Sequence, residues 1–302
     1  MNATRIADPI AANPLSDVLG AEITGIDVSR PIDDATFAHI MAAFGASPVV
    51  VFRDQDLSPA EQVAFTRRFG EIQYHVSPEY CMTDQPEVMI LTNEVVDGRN
   101  VGIAHAGSMW HSDHSYMQTP TRITMLHSRR VPATGGDTEW INMYAAYDAL
   151  DDAMKRRIEG LTGIHTFNRL RNPRSPRPKE HANPEEYYKR SPPDAYHPIA
   201  RVHEETGRTA LYLLPRFTIG IDGMDDAEAQ PLLDELFDHM IRPDFVYRHK
   251  WRHGDVVMWD NRATVHIACG GVSLPDIRRL HRTTVKGAAQ GKSTTEAQSK
   301  SR

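Results

Sequence analysis

The chain has 302 residues, of which 40% are hydrophobic and 25% are charged, and its formal net charge is -6 at pH 7. This composition can fill a sizeable core, and the acidic balance gives no electrostatic reason to expect nucleic acid or an anionic membrane as a partner. Two cysteines are too few for a disulfide framework, and no segment approaches the roughly 18 apolar residues of a membrane span. Because the first residues lack the features of a secretory signal, we expect a cytoplasmic protein.

Helical signals occur in three parts of the chain. A capping box with proline at the first helical position begins at Ser58 and predicts a helix to about residue 70. Apolar residues then recur at helical spacing over residues 143–161, where the pair Asp151-Asp152 could break the helix. A third helix is expected over residues 227–241, because a proline follows shortly after them.

The other apolar segments are short and are separated by Gly, Pro and Asp, which predicts a mainly β fold with flanking helices. Residues 48–52 are rich in β-branched side chains and should form a buried strand, and residues 204–207 resemble a hairpin turn. Further strand candidates are 87–92, 122–131, 163–167, 199–202, 210–214, 245–251, 255–259, 263–268 and 278–285. Many short strands with turn signals fit a jelly roll, the double-stranded β-helix of cupin-like proteins.

The strand signals extend along one continuous segment, so we expect a single jelly-roll domain over residues 1–286. Residues 168–198 contain seven prolines and several Arg and Lys residues. A long irregular insertion of this kind is usually a binding loop or a lid. Residues 287–302 are small, polar and free of aromatic side chains, which predicts a disordered tail.

A His-x-Asp motif at His111 and Asp113, together with His266 far downstream, is the strongest indication of a metal site. If this segment is an extended strand, side chains alternate and the two motif residues point to the same side. Two imidazoles and one carboxylate can occupy one face of an octahedral ion, which is the arrangement of non-haem Fe(II) oxygenases. The same ligands with a water also suit a hydrolytic Zn²⁺, so the three residues alone leave both metals open.

The residues around this motif resemble those of a known family. Trp110 precedes the motif, the run GGDT follows at residues 135–138, and the second histidine ends the run WDNRATVH at residues 259–266. With these features the chain resembles the taurine and chlorophenoxyacetate dioxygenase (TauD/TfdA) family over residues 19–285. The resemblance implies a jelly-roll enzyme that uses Fe(II), 2-oxoglutarate and O₂, hydroxylates a small substrate, and releases succinate and CO₂. It also favours the oxygenase over the zinc hydrolase.

The resemblance implies that Arg278 and Thr138 hold the distal carboxylate of 2-oxoglutarate. Arginine suits this task because its planar fork makes two parallel hydrogen bonds to a carboxylate. On an extended strand Arg278 and Arg282 share a face, whereas Arg279 points to the other side. The spacing from the second histidine is one residue longer than in the family, so a register change near Gly270-Gly271 would give the role to Arg279 instead.

Four further residues are implied to contact the primary substrate. His75 and Arg282 correspond to the family residues that bind an anionic group of the substrate, Phe217 to a pocket phenylalanine, and His114 offers a backbone N–H to the same anion. The alternatives are an ordinary loop histidine at His75 and a core phenylalanine at Phe217.

The chain departs from the taurine enzymes where those enzymes contact the substrate amine. The corresponding positions are Ala106-Gly107 and Pro78, which provide no hydrogen-bonding side chain, and a lid aromatic is replaced near Leu170-Arg171. We therefore expect a small anionic organic substrate without an ammonium group, a sulfonate or a carboxylate. A taurine dioxygenase proper and an aryloxyalkanoate dioxygenase are the enzymatic alternatives, followed by a zinc hydrolase and a non-catalytic jelly-roll binding protein. The resembled family also favours a homo-oligomer, a dimer or a tetramer.

Overall fold

The computed structural model describes residues 10–75, 77–103, 107–175, 183–189, 191–288 and 292–293. Its α-helices are α1 (Asp34–Ala46), α2 (Pro59–Arg67), α3 (Met143–Asp148), α4 (Asp152–Ile158), α5 (Pro184–Tyr188) and α6 (Asp226–Met240), and its 3-10 turns are Pro78–Tyr80, Arg169–Arg171 and Pro243–Phe245.

Strands make up most of the remaining regular structure. In chain order they are β1 (Ala11–Pro14), β2 (Ala21–Thr24), β3 (Val49–Phe52), β4 (Met89–Thr92), β5 (Val95–Val96), β6 (Arg99–Asn100), β7 (Thr121–Arg130), β8 (Thr138–Asn142), β9 (Thr162–His165), β10 (Ala195–Pro198), β11 (Ala200–Val202), β12 (Thr209–Leu211), β13 (Thr218–Ile221), β14 (Val246–His249), β15 (Val256–Asp260), β16 (Thr264–Ala268), β17 (Arg279–Lys286) and β18 (Lys292–Ser293).

Two sheets form the framework of the jelly roll. The larger sheet has seven strands in the order β1-β2-β3-β15-β7-β17-β4, and the smaller sheet has the order β14-β8-β16. A four-stranded sheet, β13-β9-β10-β18, and the two ribbons β11-β12 and β5-β6 complete the fold. All pairings are antiparallel except the one between β2 and β3, and non-consecutive strands are neighbours, as expected of a jelly roll.

Strands β3 and β15 of the seven-stranded sheet are buried on both faces, which explains their continuous apolar sequence. Along β3, Val50 and Phe52 pack with the side chains of α1 and α2, whereas Val49 and Val51 pack into the interior of the jelly roll. This alternation is the two-residue period of a strand between two apolar layers.

The jelly-roll interior lies between the two sheets of the framework. Trp140 from β8 and Tyr247 from β14 pack in one cluster with Leu126, Trp259 and Leu280 of the larger sheet. The indole rings of Trp140 and Trp259 lie 5.3 Å apart, and both residues are almost completely buried. A separate apolar cluster packs α3 and α6 against the outer face of the small sheet, so this sheet has apolar packing on both faces.

Several sequence predictions for local structure are confirmed. The capping box of α2 is formed, with the Ser58 backbone N–H donating to Glu61 at 2.7 Å and the Glu61 N–H donating to the Ser58 hydroxyl at 3.3 Å. The helix expected over residues 143–161 is broken at Asp151, which caps α4 by accepting from the Met154 backbone N–H. The third helix, the buried strand at 49–52 and the hairpin joining β11 to β12 are also present.

Other elements were not predicted from the sequence. Helix α1 is one, because only Ile40 and Phe44 of its residues are buried and its apolar residues do not form a clear stripe. The others are helix α5 and strands β1, β2, β5, β6, β8, β10, β13 and β18. The omission of β8 matters most, because this central strand begins at Thr138 and carries the core residue Trp140.

The expected insertion and tail are described only in part. Within 168–198, residues 169–171 form a 3-10 turn and residues 184–188 form α5, whereas residues 176–182 and 190 lie outside the described residues. Part of the tail prediction is wrong, because residues 292–293 pair with Ala195 and Tyr196 of β10. The rest of the tail beyond residue 288 lies outside the description. Among the helices described, none has the length and apolar character needed to cross a membrane.

Candidate metal centre and its cavity

The two histidines of the predicted metal set are joined through their main chains. The His111 N–H donates to the His266 carbonyl at 3.0 Å, and the His266 N–H donates to the His111 carbonyl at 2.8 Å. The imidazole rings therefore lie side by side, with centroids 4.1 Å apart. One ligand atom from each of His111, Asp113 and His266 lies within 4.8 Å of the other two, and all three residues are buried.

The local conformation around Asp113 differs from the extended strand assumed from the sequence. Only His111 forms a bridge, and the chain then turns through Asp113 to His114, which has a positive φ of 53°. The turn directs the Ser112 hydroxyl to the Asn261 carbonyl at 2.7 Å. His111 and Asp113 converge, with Nε2 and Oδ1 3.8 Å apart, and the turn begins only at Asp113.

The protonation states favour metal binding. Nδ1 of His111 lies 2.8 Å from the Met109 carbonyl, which can only accept, so Nδ1 carries the proton and Nε2 presents its lone pair. Burial lowers the pKa of His111 to about 4 and that of His266 well below its ordinary value, so both rings are neutral at pH 7. For Asp113, burial opposes ionisation, but the nearby Arg282 guanidinium and the imidazoles hold the pKa well below its usual range. Two neutral imidazoles and a carboxylate fit a divalent cation.

A chain of hydrogen bonds fixes the Asp113 carboxylate. Asn261 is fully buried; its Oδ1 accepts from the Asp113 backbone N–H at 3.0 Å, and its Nδ2 donates to Thr124 Oγ1 at 2.9 Å. Because Thr124 accepts from this amide, its own hydroxyl proton is free to donate to Asp113 Oδ2, 2.6 Å away. One carboxylate oxygen is therefore held by Thr124, and Oδ1 is the oxygen left on the side of His111.

A cavity with an empty volume of about 390 Å³ adjoins the three candidate ligands. Its lining contains the three ligands, both arginines proposed from the sequence, and a set of apolar residues. The lining residues are Leu91, Gly107, His111, Asp113, Leu126, Thr138, Trp259, His266, Ala268, Arg278 and Arg282. Six of the nine site residues predicted from the sequence therefore meet in one cavity.

Arg278 and Thr138 lie together at one end of this cavity. Arg278 precedes β17; its Nε donates to the Gly136 carbonyl at 2.8 Å and its Nη2 to Thr138 Oγ1 at 3.4 Å. Trp251 also donates to Thr138 Oγ1, at 3.0 Å, so the hydroxyl accepts twice and can donate its proton into the cavity. Burial lowers the pKa of Arg278 to about 10, yet the group stays charged at pH 7. Among the described residues it forms no ion pair with a carboxylate.

Arg279 points away from the cavity, as the strand register predicts. Its guanidinium forms an ion pair with Glu94 at 2.9 Å, and it is absent from the cavity lining. The register of β17 therefore places Arg278 and Arg282 in the same cavity. The alternative in which a shift near Gly270-Gly271 brings Arg279 to the site is wrong.

The proposed substrate residues lie on the Arg282 side of the metal set. Nη1 of Arg282 is 3.5 Å from Asp113 Oδ1, and the rings of His75 and His114 are 5.5 Å apart. Phe217 is a buried core residue whose ring centroid lies 6.3 Å from that of His111. His75, His114 and Phe217 do not line the cavity itself.

The hydrogen bonds of His75 and His114 fix which nitrogen can donate. Nδ1 of His75 accepts from the Ser77 backbone N–H at 3.0 Å, so the proton of the neutral ring is on Nε2 and can be donated. Burial and then Arg282 lower the pKa of His75 to about 3, which keeps the ring neutral. Nδ1 of His114 instead donates to Thr121, whose hydroxyl proton is given to Gln73. The His114 ring thus has no N–H left for a ligand, which leaves its backbone N–H as the candidate group.

The positions that depart from the taurine enzymes are partly described. Gly107 lines the cavity, and a Cβ atom there would lie 2.9 Å from Cε1 of His111, so a larger residue would press on a metal ligand. Pro78 is exposed and begins a 3-10 turn. Arg171 forms an ion pair with Asp194 at 2.7 Å. Ala106 lies outside the described residues.

Sequence reasoning missed the residues that support the predicted set. Thr124 and Asn261 hold Asp113, and Trp251 holds Thr138. Asn261 stood within the quoted WDNRATVH run but had no assigned role. Thr124 and Trp251 belong to strands or strand ends whose pairing partners are far away in the sequence, so no local pattern identifies them.

We expect Thr124→Val to weaken binding of Mn(II) or Co(II) by about tenfold, because support of a ligating group commonly contributes one to two orders of magnitude of affinity. Valine keeps the shape of threonine but removes the one hydroxyl, among the residues described, that donates to Asp113 Oδ2. Isothermal titration measures the change. Thr124→Ser, which keeps the hydroxyl, should bind the metal nearly as the unmodified protein does. Equal affinities for the valine and serine variants would show that the hydrogen bond does not orient the carboxylate.

Comparison with known proteins agrees with this geometry. The family model "Taurine catabolism dioxygenase TauD, TfdA family" matches residues 11–284. The alpha-ketoglutarate-dependent 2,4-dichlorophenoxyacetate dioxygenase of Cupriavidus pinatubonensis is 33% identical over 267 residues, which cover 85% of this chain and 91% of the relative. The alpha-ketoglutarate-dependent sulfate ester dioxygenase of Pseudomonas putida is 31% identical over 261 residues, which cover 85% of this chain and 83% of the relative.

Solved structures give the same result. The crystal structure of AAD-2 in complex with Mn(II) and N-oxalylglycine matches with a TM-score of 0.80 and 29% identity, covering 95% of this chain and 100% of that chain. The family match over residues 11–284 includes the His-Asp-His cluster and both cavity arginines. The chain belongs to the taurine catabolism dioxygenase TauD, TfdA family and is a 2-oxoglutarate-dependent dioxygenase.

Proposed function

We propose that this enzyme binds Fe(II) through His111, Asp113 and His266 and hydroxylates a small substrate that carries one negative charge. This proposal rests on the net charge of the residues that line the cavity. Its charged lining residues, among those described, are the carboxylate of Asp113 and the guanidinium groups of Arg278 and Arg282. Such a cavity stays stable only when anions offset the excess positive charge, because unpaired buried charges are costly.

The charges can be balanced group by group. Two guanidinium cations and one carboxylate leave one positive charge, and a divalent metal raises the excess to three. The 2-oxoglutarate dianion cancels two of these charges, so one singly charged anion is still needed. A carboxylate such as an aryloxyalkanoate, a sulfonate or a sulfate ester provides it. Zwitterionic taurine has no net charge and leaves one positive charge unmatched.

Each group of the cavity has a distinct task in this proposal. Arg278 and Thr138 bind the distal carboxylate of 2-oxoglutarate, because the guanidinium lacks a protein carboxylate and the hydroxyl has a proton to donate. When bound, the Fe(II) centre supplies the oxidation of 2-oxoglutarate by O₂ and of the substrate C–H bond.

Thr124 and Asn261 hold the Asp113 carboxylate in one orientation. The apolar lining residues Leu91, Leu126 and Trp259 exclude water from the reacting groups.

The substrate anion is proposed to bind between Arg282 and His75. Arg282 contacts only Asp113 among the carboxylates of the described residues, at 3.5 Å, and a metal on Asp113 would weaken that attraction. The guanidinium would then favour an incoming anion, and the Nε2–H of the neutral His75 can donate to it. The backbone N–H of His114 and the ring of Phe217 are the proposed neighbours of the same substrate.

Two substrate classes fit this end of the cavity, and each has a similar protein whose name gives that chemistry. The relative from Cupriavidus pinatubonensis is named for an aryloxyacetate and the one from Pseudomonas putida for sulfate esters. Both are single anions without an ammonium group. The oligomeric state, the cytoplasmic location and a lid role for residues 168–198 stay predictions.

Metal binding provides the first test of the proposal. Replacement of His111, Asp113 or His266 by Ala should abolish Fe(II) binding and succinate formation together while circular dichroism stays unchanged. The fold should survive because the main-chain bridge between His111 and His266 does not need the imidazoles. His39→Ala, at an exposed helical histidine, is the control. Normal turnover by His266→Ala would contradict the ligand assignment.

The second prediction concerns the co-substrate site. Arg278→Ala should weaken 2-oxoglutarate binding by on the order of 2–5 kcal/mol, since it removes a charge-assisted pair from a desolvated site. Arg279→Ala is the matched control and should have little effect, because it breaks only the partly exposed pair with Glu94. Anaerobic titration with 2-oxoglutarate measures both dissociation constants. A larger loss in the Arg279 variant would reverse the assignment.

The third prediction concerns the substrate site. Succinate release should be faster with alkylsulfonates, alkyl sulfates or aryloxyalkanoates than with taurine, because the charge balance requires a net anion and Pro78 provides no amine partner. Arg282→Ala should raise the KM for the best substrate more than the KM for 2-oxoglutarate. A matched panel with all compounds at equal concentration measures the preference. Taurine as the best substrate of the panel would refute the substrate class but leave the metal assignment intact.

A further inference from the structure

A second cavity, with an empty volume of about 680 Å³, adjoins the first one at Arg278. The two cavities share the lining residues Leu91, Ala268 and Arg278. None of the three proposed metal ligands lines the second cavity. The Arg278 side chain therefore lies in the wall between the cavity of the proposed metal ligands and this larger space.

The second cavity extends from the protein surface to Arg278. Ser108, Gly270 and Gly271 on its lining are exposed, whereas Thr92 and Gly136 on the same lining are buried. An opening of this kind gives a dissolved molecule access to Arg278 without passing the metal ligands.

Glycines keep the wall beside Arg278 free of side chains. The Gly136 N–H donates to the Gly270 carbonyl at 2.7 Å, which joins the two loops that line the cavity. A Cβ at Gly136, where φ is 72°, would lie 2.8 Å from Cδ of Arg278. A side chain there would displace the guanidinium, so the close approach of backbone to Arg278 depends on glycine.

The positive charge on the lining of the second cavity favours an anionic ligand. Arg278 is the single charged residue on its lining among the residues described, and its hydrogen bonds to Gly136 and Thr138 use Nε and Nη2. Nη1 has no hydrogen-bond partner in the described part of the chain. The uncharged lining combines apolar side chains, among them Leu91, Ile103 and Val272, with polar ones, and the apolar part suits the methylene groups of a short dicarboxylate.

The proposed substrate residues lie away from this passage. His75, His114, Phe217 and Arg282 do not line the second cavity. A primary substrate bound to them would consequently leave the passage clear.

We infer that the second cavity is a separate entrance through which 2-oxoglutarate reaches Arg278 and succinate leaves. The inference rests on the proposed function of Arg278, and adds that the co-substrate and the primary substrate use different openings. It makes the exchange of dicarboxylates independent of whether a primary substrate is bound.

The test is the rate at which 2-oxoglutarate binds to a protein whose passage is narrowed. Val272→Trp places a large ring on the cavity lining, whereas Ser273→Trp places the same ring on the exposed neighbouring residue, which is not part of the lining. Fe(II)-loaded protein is mixed with 2-oxoglutarate without oxygen in a stopped-flow instrument, and the visible metal-to-ligand charge-transfer band reports binding without turnover. The association rate constant should fall about tenfold in Val272→Trp, as expected when access limits an encounter, and should be unchanged in Ser273→Trp.

The dissociation constant separates a blocked passage from a damaged site. In Val272→Trp it should stay within about threefold of the unmodified value, because a narrowed passage slows entry and exit alike. Ile103→Trp, on another part of the lining, should repeat the result. An unchanged association rate constant in both tryptophan variants would overturn the inference and leave the proposed function standing. A lower association rate constant accounted for entirely by a higher dissociation constant would do the same. Absence of the band in the unmodified protein would instead refute the proposed function.

Discussion

The metal centre depends on one main-chain interaction, the reciprocal pair of hydrogen bonds between His111 and His266. This bridge ties a turn at the mouth of the jelly roll to β16, so two imidazoles from distant parts of the chain lie with centroids 4.1 Å apart. The His266 ring also packs 4.8 Å from Trp259, which belongs to the buried interior. The site is therefore rigid because the core and the backbone hold it, and metal binding needs little reorganisation.

The second constraint is the positive charge that the fold buries beside the metal. Arg278 has no carboxylate partner among the described residues, and Arg282 has only Asp113, which is itself a proposed metal ligand. Buried guanidinium groups of this kind are costly unless a ligand pairs with them. Under the proposed function, two bound anions, one at each arginine, offset this cost.

The sequence predicted the parts of the site that follow from local pattern or from family resemblance. We could identify in this way the His-x-Asp motif, the second histidine, and the side-chain alternation along the strand that separates Arg278 from Arg279. It did not predict the turn that starts at Asp113 or the bridge from His111 to His266, because the sequence favoured an extended segment and the bridge is a long-range contact. Thr124, Asn261 and Trp251 were missed for the same reason, since their roles arise from strand pairing across the sheets. Strands β3 and β15 were found because their apolar residues are continuous, whereas α1 has too few buried residues to give a clear helical period.

The most direct measurement of the central claim is an anaerobic titration of the Fe(II)-loaded protein with 2-oxoglutarate, followed in the visible spectrum. If His111, Asp113 and His266 hold the iron and Arg278 anchors the co-substrate beside it, a charge-transfer band should grow to saturation at one 2-oxoglutarate per chain. Addition of a monoanionic substrate such as 2,4-dichlorophenoxyacetate should then shift the band, and loading with Zn(II) should give none. An Fe(II)-loaded protein that binds no 2-oxoglutarate, or binds it without the band, would contradict the assignment of this cavity as the active site.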